Sequence, residues 1–148
     1  MLNTSTYTSR ERGFSLVELI VVVAIIGILA SIVIPALISA VDRSRQRRSM
    51  ADMNILAKAN ATYSIDYTKF VNALTDLQPA YIQVAPVNDG WGNPFQYTVG
   101  AGNLTYTLTS LGSDGAAGPP APTPWINNPF EPDIIMNTGQ FTQMPVAQ

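Results

Sequence analysis

From Leu19 to Val41 the chain carries 23 consecutive residues without a charge, and between Leu19 and Ile38 the only hydroxyl is that of Ser31. At ~1.5 Å per residue, twenty such residues cover the roughly 30 Å hydrocarbon core of a bilayer, so the run is long enough to span it as a helix. A secretory signal peptide has a shorter apolar stretch of about 7 to 15 residues, with a small-x-small cut behind it, and does not fit. The entrance to the run is its anomaly. Arg12-Gly13-Phe14-Ser15-Leu16-Val17-Glu18 sets one carboxylate in the first turn, just after a Gly-Phe junction. An ordinary single-pass anchor explains neither that acid nor the basic boundary before it.

An ionised carboxylate in a bilayer costs at least ~2 to 3 kcal/mol, which marks Glu18 as functional and in need of a partner. A cut between Gly13 and Phe14 would create one, because the new α-amino group would lie one helical turn from Glu18, at i and i+4. A free amine meets the positive end of the helix dipole, where a carboxylate is favoured. Pairing the two, within one chain or between neighbours, neutralises both.

At residues 12 to 36, RGFSLVELIVVVAIIGILASIVIPA, the chain resembles the superfamily of type IV pilins and type II secretion pseudopilins. The resemblance implies a leader of residues 1–13, an assembly helix over 14–41, and an amphipathic half-helix with a globular head over 42–148. It implies that an inner-membrane prepilin peptidase cuts after Gly13 and methylates Phe14. It also implies that Glu18 guides docking into a helical filament by facing a neighbour's N-terminus. Gly27 and Pro35 match positions between which the family helix can unwind in the assembled filament. Pro35 would in any case remove a helix hydrogen bond and bend the axis.

Without residues 1–13, 135 of the 148 residues remain, and about 100 are left for one small head beyond the apolar half-helix. The chain has no cysteine and no histidine. No disulfide supports the head, and the commonest acid-base and nucleophilic arrangements are excluded. From Ser49 onward two lysines face seven acids, and an acidic head is a poor ligand for nucleic acid. The expectation is a substrate of an enzyme, not an enzyme.

The one basic cluster, Arg43, Arg45, Arg47 and Arg48, follows the apolar run, where it outnumbers Arg10 and Arg12 before the run. By the positive-inside tendency this side would be cytoplasmic. The resemblance implies the reverse, since the leader must face the peptidase on the cytoplasmic side. The arginines suit headgroup contact and pairing such as Arg48 with Asp52 at i and i+4, or contact with acids of neighbouring subunits.

Met53, Leu56, Asn60, Tyr63 and Tyr67 follow 3,4,3,4 spacing, which predicts continued helix with one core-facing stripe, and Lys58, Thr62 and Asp66 fall on the other side. Residues 70–93 form a loop region marked by Pro79, Pro86 and Asn88-Asp89-Gly90. The period then changes to two. Phe95, Tyr97 and Val99, a turn at Gly100 to Asn103, and Leu104, Tyr106 and Leu108 predict a β-hairpin, with Ile134 to Met136 as a third strand. The fold class is α+β: a long N-terminal helix packed on a small antiparallel sheet, as in pilins.

The string Asp89-Gly90-Trp91-Gly92-Asn93-Pro94-Phe95-Gln96-Tyr97, followed by Ser110 to Gly115 and by Asp133-Ile134, narrows the resemblance to the major, G-type pseudopilins of type II secretion. That resemblance implies a calcium site in the loop after the hairpin, with Asp114 and Asp133 as carboxylates and the Leu111 carbonyl as a further ligand. Calcium takes six to eight hard oxygen ligands in flexible geometry. The chain departs from the pattern at Gly118 to Trp125, a proline-rich insertion where the family has a short glycine-rich loop. Gly112, Gly115 and Gly118 lead into prolines instead of a helix start and do not make a phosphate loop.

The expected function is therefore that of a self-polymerising subunit of a type II secretion pseudopilus. It would be anchored in the bacterial inner membrane with a periplasmic head. By the resemblance its partners are copies of itself, minor pseudopilins, the prepilin peptidase, the assembly platform and the secretion ATPase. The alternatives are a type IV pilus subunit for adhesion, motility or DNA uptake, and a binding module on a plain anchor.

Overall fold

The computed structural model describes residues 13–118, 130 and 132–144. Arg10, Arg12, the proline-rich stretch 119–125 and Glu131 lie outside them. The chain divides into two compact units between Ile38 and Ser39. Helix α1, Leu16–Tyr67, contributes to both and runs unbroken through Gly27 and Pro35. In the first unit its apolar side chains are exposed, Leu16 at 72% and Ile32 at 69%. Among the described residues α1 is the one helix long and apolar enough to cross a membrane.

The second unit is built around the C-terminal part of α1. Met53, Leu56, Ala57, Ala59 and Asn60 are buried, while Lys58, Thr62 and Asp66 are exposed, as the periodicity predicts. The stripe is lost at its end: Tyr67 is 53% exposed and stacks on Tyr63 at 4.4 Å instead of entering the core. There α1 stops, because Thr68 turns into the left-handed region at φ 57°, with its N–H donating to the Ser64 carbonyl at 2.9 Å.

Among the described residues four antiparallel strands follow in sequence order: β1 Gln96–Val99, β2 Tyr106–Ser110, β3 Ile134–Asn137 and β4 Gln140–Gln143. Register places Tyr97 opposite Leu108, Leu108 opposite Met136 and Met136 opposite Phe141. That row faces the core, where Leu108 and Met136 are fully buried with Met53, Leu56, Val71, Leu77 and Ile134. Two strand expectations need correction. Leu104 is not in a strand but 67% exposed, because Gly102 and Asn103 hold positive φ and prolong the turn. The hairpin gains two further strands, not one. The loop region 70–93 also contains a short 3₁₀ turn, Leu74–Leu77, that buries Leu77.

Asn60 ties the layers together. Its Oδ1 accepts from Val71 N at 3.2 Å and its Nδ2 donates to Tyr97 OH at 2.9 Å, while that hydroxyl donates to the Val71 carbonyl at 3.0 Å. A second clasp joins the 88–93 loop to α1. Asp89, 3% exposed, accepts from Trp91 N, Asn93 N and Ser110 Oγ at 3.0, 2.9 and 2.7 Å, three donors that offset the cost of burying a carboxylate. Gly90 N donates to Ser49 Oγ at 2.8 Å, and Ser49 Oγ donates to the Arg45 carbonyl at 3.1 Å. A Cβ on Gly90 would overlap that same carbonyl, so glycine is required there by close approach. The Trp91 indole N–H reaches Asp42 Oδ1 at 3.3 Å.

Candidate functional site

The first candidate site is the start of α1. Ser15 precedes the first helical residue, and its carbonyl accepts from Leu19 N at 3.2 Å. Glu18 Oε2 accepts from Ser15 N at 3.5 Å, a long contact that forms one half of a capping box. The Ser15-x-x-Glu18 spacing is a helix-start signal in its own right, one that the dipole and pairing arguments for Glu18 did not use. A carboxylate there also complements the helix dipole. Phe14 is 81% exposed, and no atom lies within 4 Å of a Cβ placed on Gly13. Among the described residues no packing contact demands glycine at 13.

The second is the loop after β2. Leu111 is buried and Asp114 is exposed, with Asp114 Oδ1 accepting from Ala116 N at 3.1 Å. Asp133 is 5% exposed. Its Oδ2 accepts from Gly118 N at 3.1 Å, while its Oδ1 is buried and, among the described residues, has no hydrogen-bond partner. Burial, and to a lesser degree the Asp114 charge, push the Asp133 carboxyl above its usual range, and the Gly118 amide offsets only part of this. The two aspartates thus lie within electrostatic reach of one another, and a buried acceptor is left open. Among the described residues no group of three acidic side chains converges. Further oxygen ligands there would be backbone carbonyls, side-chain amides or hydroxyls, water, or a group outside those residues.

An exposed apolar helix behind a Gly-Phe junction, continuing into an α+β head, defines a pilin-like subunit. Two family models match the chain: the prokaryotic N-terminal methylation motif over residues 8–34, and type II secretion system protein G over residues 36–128. The chain is 32% identical over 126 residues to the type II secretion system core protein G of Pseudomonas aeruginosa, covering 74% of this chain and 88% of that protein. It is 32% identical over 125 residues to the Vibrio cholerae core protein G, with 74% and 85% covered. With that of Escherichia coli K12 it shares 31% over 128 residues, with 75% and 88% covered. No solved structure matches the chain. The chain belongs to the type II secretion system protein G family.

Proposed function

We infer that this chain is the major structural subunit of a type II secretion pseudopilus. The observation that carries this is one chain holding both the methylation motif and the protein G match, on a helix whose apolar half is exposed. It works as a polymer component and not as a catalyst. Residues 1–13 are a leader removed after Gly13, Phe14 becomes the methylated first residue, and the head faces the periplasm with the leader in the cytoplasm. Copies of the chain dock through α1, with Glu18 satisfied by the amine of Phe14 in a neighbour. The prepilin peptidase, minor pseudopilins, assembly platform and secretion ATPase act on or with it. A type IV pilus subunit is not favoured, because the relatives above are type II secretion proteins.

N-terminal mass spectrometry of the cellular protein tests the processing step: methylated Phe14 is expected at the terminus, and an intact leader would overturn the reading. Assembly is tested by Glu18→Ala and Glu18→Gln. Gln keeps the capping contact and loses the charge, so if Glu18 serves only as a cap, Gln restores fibres. If it pairs with an amine, both variants fail to assemble.

Calcium fits the second site. The Asp133 and Asp114 carboxylates and the Leu111 carbonyl would hold it, and Asp133 Oδ1 is an oxygen that lacks a donor among the described residues. Bound there, the ion would supply the positive charge that two neighbouring carboxylates need and would tie the loop to β3. The detergent-solubilised chain should melt several degrees higher with millimolar calcium, because a ligand that binds only the folded state stabilises it. Asp133→Asn should abolish the shift, and an unshifted parent would remove the site.

A further inference from the structure

The four arginines that follow the apolar run are not equivalent. Arg45 Nη1 lies 3.4 Å from Asp42 Oδ1, and Arg48 Nε lies 3.7 Å from Asp52 Oδ2. Asp42 and Asp52 are the only acids between Leu19 and Ile65, so the local carboxylates are both engaged. Arg43 and Arg47 are exposed and, among the described residues, have no ion-pair partner. They are four residues apart, which puts them one turn apart on one side of α1.

Their place along the helix is set by the end of the apolar run. Val41 is its last residue, and Arg43 and Arg47 come two and six residues later, ~3 and ~9 Å further along the axis. The headgroup layer beyond the hydrocarbon core is roughly 5 to 7 Å deep on each side, and arginine stems are long enough to adjust within it. A planar guanidinium matches phosphate oxygens in pairs. The Trp91 indole N–H, 3.3 Å from Asp42 Oδ1, brings to this level the side chain most enriched at membrane–water interfaces. The Gly90–Ser49 hydrogen bond holds that loop in place.

We propose that Arg43, Arg47 and Trp91 form a membrane-surface collar that binds the phosphates of anionic phospholipids. It rests on the apolar run spanning the bilayer, and it adds a lipid ligand to that reading. A second copy of the chain is a poorer source of anions. Among its described head acids, Asp66, Asp76 and Asp114 are exposed but scattered, each already accepting a hydrogen bond, from Tyr81 OH at 2.7 Å, Ala73 N at 3.2 Å and Ala116 N at 3.1 Å, and Asp89 and Asp133 are buried. The lipid surface presents phosphates continuously. Its anionic members hold the subunit at a fixed depth and have to be released when it leaves the bilayer for the filament.

The test uses the full processed chain with Trp125→Phe, so that Trp91 is the sole tryptophan, in mixed vesicles of phosphatidylcholine and phosphatidylglycerol. Bromines are carried high on the acyl chains of one lipid or of the other. Trp91 fluorescence should be quenched more by brominated phosphatidylglycerol than by an equal fraction of brominated phosphatidylcholine. Arg43→Gln with Arg47→Gln should equalise the two, and Arg45→Gln with Arg48→Gln should leave the preference in place. Equal quenching in the parent overturns the proposal, as does a preference that survives loss of Arg43 and Arg47 or is lost equally in both double variants. Quenching that changes only on assembly, and equally in pure phosphatidylcholine, would assign the arginines to a second copy instead. Release of the chain by alkaline carbonate would overturn the membrane anchoring and this inference with it. Firm insertion with equal quenching overturns this inference alone.

Discussion

Tyr106 shows how a single buried polar atom sets a pH dependence. The side chain is 3% exposed in the core of the second unit, edge-on to Phe70 at 4.8 Å, and among the described residues its hydroxyl makes no well-formed hydrogen bond. Burial, and to a lesser degree the neighbouring Tyr97, push its pKa up to about 12, with the Gly139 backbone offsetting only part of this. A phenol is charged when it loses its proton, so between its ordinary value of 10.0 and about 12 the unfolded chain releases a proton that the folded chain keeps. Stability therefore falls as pH rises through that window. Tyr106→Phe removes the titrating group and an unsatisfied oxygen together. It should be neutral, or stabilising by up to about 1 kcal/mol, at neutral pH, and should lessen the loss of stability between about pH 9 and about pH 11. Tyr97→Phe should instead cost about 1 to 3 kcal/mol, because it strands Asn60 Nδ2 and the Val71 carbonyl. Urea unfolding of both variants at the two pH values checks this, and a Tyr106→Phe protein less stable than the parent at neutral pH would contradict it.

Between elements, the decisive contact is the one that lets the 88–93 loop lie on α1. Any side chain at residue 90 meets backbone, the Arg45 carbonyl, which cannot swing aside as a side chain would. Gly90→Ala should therefore destabilise the head by about 1 to 3 kcal/mol. Tryptophan emission should shift to the red as Trp91 leaves Asp42. A variant with parent-like melting would show that the loop does not need this contact. Neither this clasp nor the Asn60 bridge was legible in the sequence, since each joins residues far apart in the chain through polar atoms that leave no periodic trace. The hairpin and the helical stripe were legible because alternation and 3,4 spacing report burial directly. Strand β4, Gln-Phe-Thr-Gln, has one apolar residue and pairs at the sheet edge, so alternation did not mark it. Its signal was the turn before it, where Thr138 and Gly139 both adopt positive φ as a two-residue hairpin turn requires. Glu18 stood out as a charge against an apolar run. The buried carboxylate of Asp133 did not, because its contact with Gly118 joins residues fifteen apart through polar atoms.

At the scale of the whole molecule, the exposed face of α1 sets the energetics of assembly. Large apolar side chains from Phe14 to Ile38 are exposed in the isolated chain and need a bilayer or neighbouring helices to cover them. Exchanging lipid for other helices trades one apolar contact for another, so burial in itself adds little drive to assembly. Packing and polar pairing must supply the difference, which is the physical ground for the proposed pairing of Glu18 with a neighbour's amine. The same solvent change bears on residues 27–35. Pro35 has no N–H, so the Ser31 carbonyl lacks its helical donor, but in hydrocarbon every further opened hydrogen bond costs several kcal/mol and the turns on either side stay closed. Once the helix is surrounded by other subunits, neighbouring side chains and water can satisfy freed backbone groups, and unwinding between Gly27 and Pro35 becomes affordable. Amide hydrogen exchange should therefore be slow across 27–35 in membranes and faster there than in the flanking turns in assembled fibres, and Pro35→Ala, which restores the missing donor, should slow it again. Uniformly strong protection across these residues in fibres would mean that the helix enters the filament intact.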